Sequence, residues 1–145
     1  MYANTGITHL SKLITLNNKI LRILQNKSYS APVKELYIHY NTLPVTQLHK
    51  MQLLLLVHKC YYHKYLLPKI YHDYFQPNQG MYSYETRNKA DLCLHSVNTI
   101  FGQRCIKFKG ALLWNELPDY IKNICSINKF KSRLKSYLQQ KYILQ

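Results

Sequence analysis

The chain has 145 residues and can bury roughly 68–70% of the surface that its unfolded form exposes, so folding requires neither a disulfide nor a metal. Twenty Lys and Arg face six Asp and Glu, and the formal net charge of +14 favours a polyanionic partner, above all nucleic acid. The longest apolar run, residues 53–57, is far shorter than the ~20 residues that span a bilayer, and the first ten residues show no signal-peptide pattern. We therefore expect no membrane partner and an intracellular chain, nuclear or cytoplasmic, with its four Cys as thiols.

The first predicted element is an amphipathic helix over residues 8–26. One stripe of apolar side chains recurs at three- and four-residue spacing: Leu10, Leu13, Ile14, Ile20, Leu21 and Leu24. The opposite side carries Lys12, Lys19 and Arg22 within a narrow sector. Asn17 projects from the apolar stripe, where an unpaired amide would cost on the order of a few kcal/mol, so we expect it to have a hydrogen-bond partner.

Two further helices are predicted in the first half. A short one begins near Pro32, and a long one follows Pro44. Residues 53–57 make the long helix apolar on every side, so we expect this stretch to lie in the core. Pro68 ends it and allows a further turn. Pro, Asn, Gly and Ser then predict a loop over residues 77–91, which divides an N-terminal helical part, residues 1–76, from a C-terminal part, residues 92–145.

In the C-terminal part the hydrophobic period shortens to two. Residues 91–99 and 103–110 are predicted as two strands joined around Gly102, followed by a helical turn that Pro118 ends. A last helix begins after Ser126 as N-cap. Its apolar face consists of Ile127, Phe130, Leu134, Tyr137 and Leu138. The predicted fold class is mainly α, a helical bundle with a small two-stranded β element in the C-terminal half.

The single Trp of the chain lies in a short apolar cluster. Trp114 is flanked by Leu112, Leu113, Leu117 and Pro118. Because a Trp side chain buries a large area, a structural role that links the predicted hairpin to the last helix through Phe130 is favoured over base stacking.

Three patterns follow one another in the C-terminal part: Y-x-TR, then "IKFKGALLWNELP", then "SINKFKSRLKSYL". This order resembles the end of many LINE-type, jockey-like non-LTR retrotransposon reverse transcriptases, in which a strand ending in F-x-G-x-x-LWN-x-LP precedes an S-x-x-x-FK-x-x-LK-x-x-L helix. The matching positions are Tyr84, Thr86, Arg87, Gly110, Trp114, Asn115, Leu117, Pro118 and Phe130.

The upstream residues resemble the same family. Residues 2–24 and 43–60 are similar to segments that follow the palm of the polymerase, although Asn17 stands where a Gln is usual. The resemblance leads us to expect a palm before residue 2, which this sequence does not include. The resemblance implies that residues 1–76 correspond to a thumb. It also implies that the chain holds a template–primer duplex or element RNA and leaves the chemistry of its parent, an RNA-directed DNA polymerase, to the palm.

The residues themselves predict neither catalysis nor a cofactor. The six acids include no Asp-Asp pair that could bind two Mg²⁺ ions, and no Gly-rich phosphate loop is present. Cys60 with His63, and Cys93 with His95, lack the paired spacing of a zinc site, so small core thiols are the favoured interpretation and no metal is predicted. No sequence pattern places a His near both a Cys thiol and an acid that could orient it, so Cys–His nucleophilic catalysis is not predicted.

Three groups of cations are the predicted nucleic-acid contacts. They are Lys12, Lys19 and Arg22; Arg104, Lys107 and Lys109; and Lys129, Lys131, Arg133 and Lys135. On a strand, Lys107 and Lys109 would point to one side. Lys outnumbers Arg 16 to 4, which suits sequence-tolerant, salt-sensitive phosphate contact with RNA or an RNA/DNA duplex. For the last helix, we give nucleic-acid binding and a simple solvent-exposed face equal weight. In the second case the Lys stems cover apolar surface and their ammonium groups lie in water.

Two other functions remain open. The chain could be an inactive structural remnant that docks on the missing palm or on a second copy. It could also be an unrelated small basic RNA-binding protein. The sign of the latter would be stacking aromatics on strands, for which Phe108 is the candidate.

Overall fold

The computed structural model describes residues 7–80 and 91–144 and confirms a mainly helical fold. The helices of this part are α1 (Ile7–Leu24), α2 (Val33–His39), α3 (Val45–Tyr62), α4 (Ile100–Arg104), α5 (Ile106–Asn115), α6 (Asp119–Lys122) and α7 (Ile127–Leu144). Short 3₁₀ turns occupy Lys64–Leu66, Lys69–Tyr71 and Asn78–Gly80. Within residues 7–80 and 91–144 there is no strand, so the predicted two-stranded β element is not found.

Proline and asparagine residues set the helix ends in the first half. Pro32 is the N-cap of α2, and α3 starts directly after Pro44, both as predicted. Asn26 and Asn41 follow α1 and α2 with φ of 51° and 48°. Asn tolerates this left-handed conformation better than most residues, and it lets the next backbone N–H groups bond back to the last helical turn.

The chain divides into two compact units. The first comprises residues 1–51 and 134–145, and the second comprises residues 52–133. The predicted boundary at residues 77–91 stays a prediction, because residues 81–90 lie outside the described part.

The first unit is organised around Tyr37 of α2. Leu21, Leu36 and Tyr37 form its buried cluster, with the ring of Tyr142 edge-on to that of Tyr37 at 6.0 Å between centroids. The side-chain amide of Asn17 donates to the Tyr37 hydroxyl at 2.7 Å, and this hydroxyl donates to Asn18 Oδ1 at 2.9 Å. The expected partner of Asn17 is thereby confirmed.

The second unit buries the apolar run of α3 and the Trp. Leu53 and Val57 are buried, as predicted, and Trp114 is 2% exposed. The rings of Trp114 and Phe130 lie 5.9 Å apart between centroids, so the predicted link from the Trp to the last helix is confirmed. The hairpin that it was expected to hold is not present in the described residues.

The strand predicted over residues 103–110 is wrong, because residues 103–104 end α4, residues 106–110 begin α5, and Cys105 joins the two helices. Burial at Gly110, Trp114, Leu117 and Ile121 follows a three- to four-residue period, and this longer pattern outweighs the local alternation of Ile106 to Lys109. A Cβ on Gly110 would lie 2.8 Å from Phe75 Cζ and 3.1 Å from Val57 Cγ2. Glycine therefore lets α5 approach these side chains closely.

The strand predicted over residues 91–99 is absent for a different reason. Leu92 is buried and makes one isolated antiparallel bridge with Pro77. Its other backbone edge bonds to a side chain, because the Leu92 N–H donates to Asn115 Oδ1 and Asn115 Nδ2 donates to the Leu92 carbonyl, both at 2.9 Å. The amide of Asn115 thus occupies the place that a second strand would take.

Candidate nucleic-acid interface

Helix α1 carries the first cationic group as predicted. Lys12 and Lys19 are seven residues apart, and Arg22 is three residues further on, which places all three within a sector of about 80° on the helix. Lys12 and Lys19 are exposed and Arg22 is half-buried. We name these three residues the α1 cation face.

A tyrosine outside the helix completes this face. The ring centroid of Tyr29 lies 5.6 Å from Arg22 Cζ and 6.0 Å from Lys19 Nζ, and the side chain is 74% exposed. Arg22 Nε also donates to the carbonyl of Ala31 at 3.1 Å, which fixes the loop that carries Tyr29. Tyr29 could not be predicted from the sequence, because loop residues have no periodic signal.

The charge around this face is one-sided. The first unit contains eight Lys or Arg and a single acid, Glu35, a formal excess of seven positive charges. No acid precedes Glu35 in the sequence. A phosphate that approaches the α1 cation face therefore meets little competition from neighbouring carboxylates.

The second group does not share one side. Arg104 is exposed at the end of α4, whereas Lys107 and Lys109 lie two residues apart on α5, where the helical period separates them by about 200°. The expectation that these two Lys point the same way is therefore wrong. Lys107 Nζ lies 5.8 Å from the ring centroid of Tyr74.

The third group lies on α7 around its buried residues. Lys129, Lys131 and Arg133 are exposed, and Lys135 is partly exposed. The buried face of the helix consists of Phe130, Leu134 and Leu138. By helical spacing, Lys129 and Arg133 share one flank of this face, and Lys131 and Lys135 share the other. The four residues of this group therefore lie on two separate flanks of the buried face, two on each.

The motif residues of the C-terminal part have structural roles. Trp114 and Leu117 are buried, Pro118 is the N-cap of α6, and Asn115 fixes Leu92. Phe130 is fully buried. The predicted residues Tyr84, Thr86 and Arg87 lie outside the described residues. Phe108, the candidate for a strand-borne stacking residue, instead lies half-buried on α5.

A buried histidine links α3 to the residues before α7. His58 is fully buried, stacks on Phe130 at 4.1 Å between centroids, and has Nε2 2.7 Å from the carbonyl of Ile124. A carbonyl only accepts, so Nε2 carries the proton, and the buried Nδ1 has no hydrogen-bond partner among the described residues. Burial lowers the pKa of His58. The bond to the Ile124 carbonyl opposes this shift, and the nearby His63 adds to it. Its position mid-helix gave no signal that separates it from an exposed His.

The thiols and histidines do not form a metal centre in the described part of the chain. No group of three or more His, Cys, Asp and Glu lies close enough there to hold a metal ion. Cys60 is buried and free, and burial raises the pKa of its thiol. His63 Nε2 lies 2.7 Å from the carbonyl of Cys125, so its bond is to backbone.

None of the helices in residues 7–80 and 91–144 is both long and apolar enough to cross a membrane. Comparisons with protein-family models, with curated proteins and with solved structures give no match.

Proposed function

We propose that this chain is a non-catalytic nucleic-acid-binding module that grips the phosphates of RNA or an RNA/DNA duplex. The observation that carries this proposal is the α1 cation face, Lys12, Lys19 and Arg22, in a unit with eight cations and one acid. Lys as the main cation suits point contacts to phosphate rather than reading of base edges.

Tyr29 strengthens the α1 cation face. Its ring lies against the side chains of Lys19 and Arg22, and cation–π attraction holds both cations at the surface instead of leaving them to move freely. The exposed ring also offers an apolar surface beside the cations, which single-stranded nucleic acid could use for stacking.

The sequence resemblance suggests the larger context. In a LINE-type reverse transcriptase, a thumb and the region after it would hold the template–primer while the palm performs the chemistry. Under this proposal the module acts within, or derives from, an RNA-directed DNA polymerase of a mobile element. Its own residues position nucleic acid.

A direct titration tests the binding function. The purified chain is mixed with a labelled RNA/DNA duplex and, separately, with single-stranded RNA, and fluorescence anisotropy is recorded at several salt concentrations. We expect the duplex to bind without regard to its sequence. For both ligands, we expect log Kd to rise linearly with log salt concentration. Absence of binding at low salt would exclude this function.

A second candidate function has its own structural support. Helix α1 exposes a strip of large aliphatic side chains on one flank: Leu13, Leu16, Ile20, Ile23 and Leu24, which are 48–76% exposed. A contiguous apolar surface of this kind is typical of a protein contact. A structural module that associates with itself or with a polymerase palm therefore remains a candidate.

Measuring the oligomeric state distinguishes self-association from nucleic-acid binding. Light scattering after size exclusion should show a concentration-dependent dimer, and the variant Leu16→Glu/Ile23→Glu should be monomeric while retaining its helical circular dichroism. A wild-type chain that stays monomeric at high concentration would exclude self-association. Retained RNA binding by the monomeric variant would show that the two surfaces act separately.

A further inference from the structure

The second unit contains an open cleft with an aromatic wall. Its volume is about 280 Å³, well above the ~10–15 Å³ that a site needs on this measure to hold one water molecule. The lining residues come from the end of α3, from α5, and from α6 with its C-cap Asn123: Tyr61, Tyr62, Trp114, Asp119, Lys122 and Asn123. All of them belong to the unit of residues 52–133.

Tyr61 is the ring that a ligand in the cleft would meet. It is 38% exposed and lies over Trp114 at 5.9 Å between centroids with 30° between the ring planes. Trp114 is 2% exposed, so it supports Tyr61 from beneath. Tyr62 packs edge-on to Tyr61 at 4.9 Å and is held by its hydroxyl, which donates to the Lys122 carbonyl at 2.9 Å. The platform is therefore rigid.

The ammonium of Lys122 is already engaged. It lies 3.2 Å from Asp91 Oδ1, 3.3 Å from the Asn115 carbonyl and 3.5 Å from Asp119 Oδ1. An ammonium has three N–H donors, so this set of three oxygens matches its capacity. A phosphate would have to displace one of these partners, and the cleft is for this reason poorly suited to phosphate.

The polar groups that remain accessible suit the edge of a base. The Asp119 side chain is 88% exposed, and a carboxylate has about four acceptor sites, of which Lys122 uses one. The exposed amide of Asn123 can both donate and accept. Guanine presents two adjacent N–H donors on its Watson–Crick edge, which one carboxylate can accept together, whereas uracil and adenine offer no such pair.

We propose that this cleft binds an unpaired guanine base of a single-stranded nucleic acid, with Tyr61 as stacking platform and Asp119 as acceptor for the guanine edge. The base must be unpaired because pairing occupies that edge. This inference goes beyond phosphate contact, since it gives a base preference to a chain that otherwise binds without regard to sequence.

The position of Trp114 provides a direct readout. It is the only Trp of the chain and lines the cleft, so its emission reports occupancy there. Guanosine monophosphate and uridine monophosphate are titrated into the protein, with N-acetyl-tryptophanamide as the correction for absorbed light. We expect saturable quenching by the guanine nucleotide and none by the uracil nucleotide. Equal responses would overturn the inference.

A second titration uses RNA and separates this inference from the proposed function. The probes are a short oligouridylate and the same oligomer with one central guanosine or one central inosine, which lacks the 2-amino group. We expect the guanosine oligomer to bind at least about fivefold more tightly than oligouridylate, with inosine intermediate. Equal, salt-dependent affinities would exclude the guanine cleft and leave phosphate binding intact. No binding by any oligomer would exclude the proposed function. In that case the Trp114 titration with free nucleotides still tests whether the cleft binds guanine.

Matched variants identify the residues. Asp119→Asn should abolish the preference for guanosine, and Glu116→Gln, which changes an exposed acid outside the cleft, should retain it. Tyr61→Leu should weaken quenching, whereas Tyr61→Phe and the neighbouring exposed Tyr120→Leu should not. A guanosine preference that survives in a folded Asp119→Asn protein would contradict the assignment.

Discussion

Asn115 and Leu92 exchange two hydrogen bonds of 2.9 Å, in which a side-chain amide pairs with both backbone groups of one residue. This contact ties the segment after residue 91 to the end of α5. It explains how the backbone N–H and carbonyl of the buried Leu92 find hydrogen-bond partners without a neighbouring strand on that side.

The first prediction concerns this pair. Asn115→Ala leaves the N–H and carbonyl of Leu92 without their partners, at ~1–3 kcal/mol for each group that stays buried, so we expect the free energy of unfolding to fall by about 2–4 kcal/mol. Urea denaturation followed by Trp114 emission measures it. Asn128→Ala, at an exposed site of α7, is the control and should change stability by less than about 0.5 kcal/mol. A loss of the same small size in both variants would show that the pair does not stabilise the fold.

The second prediction tests the close approach at Gly110. Alanine would normally stabilise a helix by up to ~1 kcal/mol relative to glycine. Here its Cβ would lie 2.8 Å from the ring of Phe75, and overpacking costs about 1–3 kcal/mol, so we expect Gly110→Ala to destabilise the protein. Phe75→Leu should reduce that cost in the double variant. A more stable Gly110→Ala protein would show that the ring moves freely.

The third prediction concerns pH and His58. Burial lowers the pKa of His58 in the folded protein, so the unfolded chain binds this proton more readily. The stability contribution is therefore complete above the unfolded pKa of about 6.5 and is lost as the pH falls toward the lower folded value. We expect the Tm to drop as the pH falls from about 6.5 to 5.5, and to drop less in His58→Phe. His39→Phe, an exposed control, should follow the wild type.

The fourth prediction tests the polar contact in the first unit. Tyr37→Phe removes the hydroxyl that accepts from Asn17 and donates to Asn18, and we expect it to cost about 1–2 kcal/mol. Thermal unfolding followed by far-UV circular dichroism measures the loss. Tyr29→Phe alters an exposed ring and should leave the Tm unchanged. Equal Tm values for both variants would show that the Tyr37 hydroxyl does not stabilise the fold.

Sequence patterns predicted the features that depend on local spacing. The period of α1, the helix starts at Pro32 and Pro44, and the need of Asn17 for a partner follow from residues close together in the chain. In residues 103–110, the four-residue alternation of Ile106 to Lys109 competed with a helical period that is visible only when Trp114 and later residues are included. The shorter pattern gave the wrong element.

The candidate site was predictable only in part. Lys12, Lys19 and Arg22 lie on one helix, so their common face follows from spacing alone. Tyr29 lies in a loop, and the cleft brings together residues from α3, α5 and α6, which only the tertiary structure places side by side. The prediction that Lys107 and Lys109 point to one side was wrong because it assumed a strand, whereas both residues lie on α5.

The salt dependence of RNA/DNA duplex binding in an α1 variant shows whether the α1 cation face contacts phosphates. The double variant Lys12→Ala/Lys19→Ala is compared with Lys64→Ala/Lys69→Ala, which removes two exposed Lys from outside the three predicted groups. If the α1 cation face grips phosphates, the slope of log Kd against log salt concentration should decrease by roughly one for each lost contact, so by about two in the first variant. The control should keep the wild-type slope. Identical slopes and affinities in all three proteins would contradict the account.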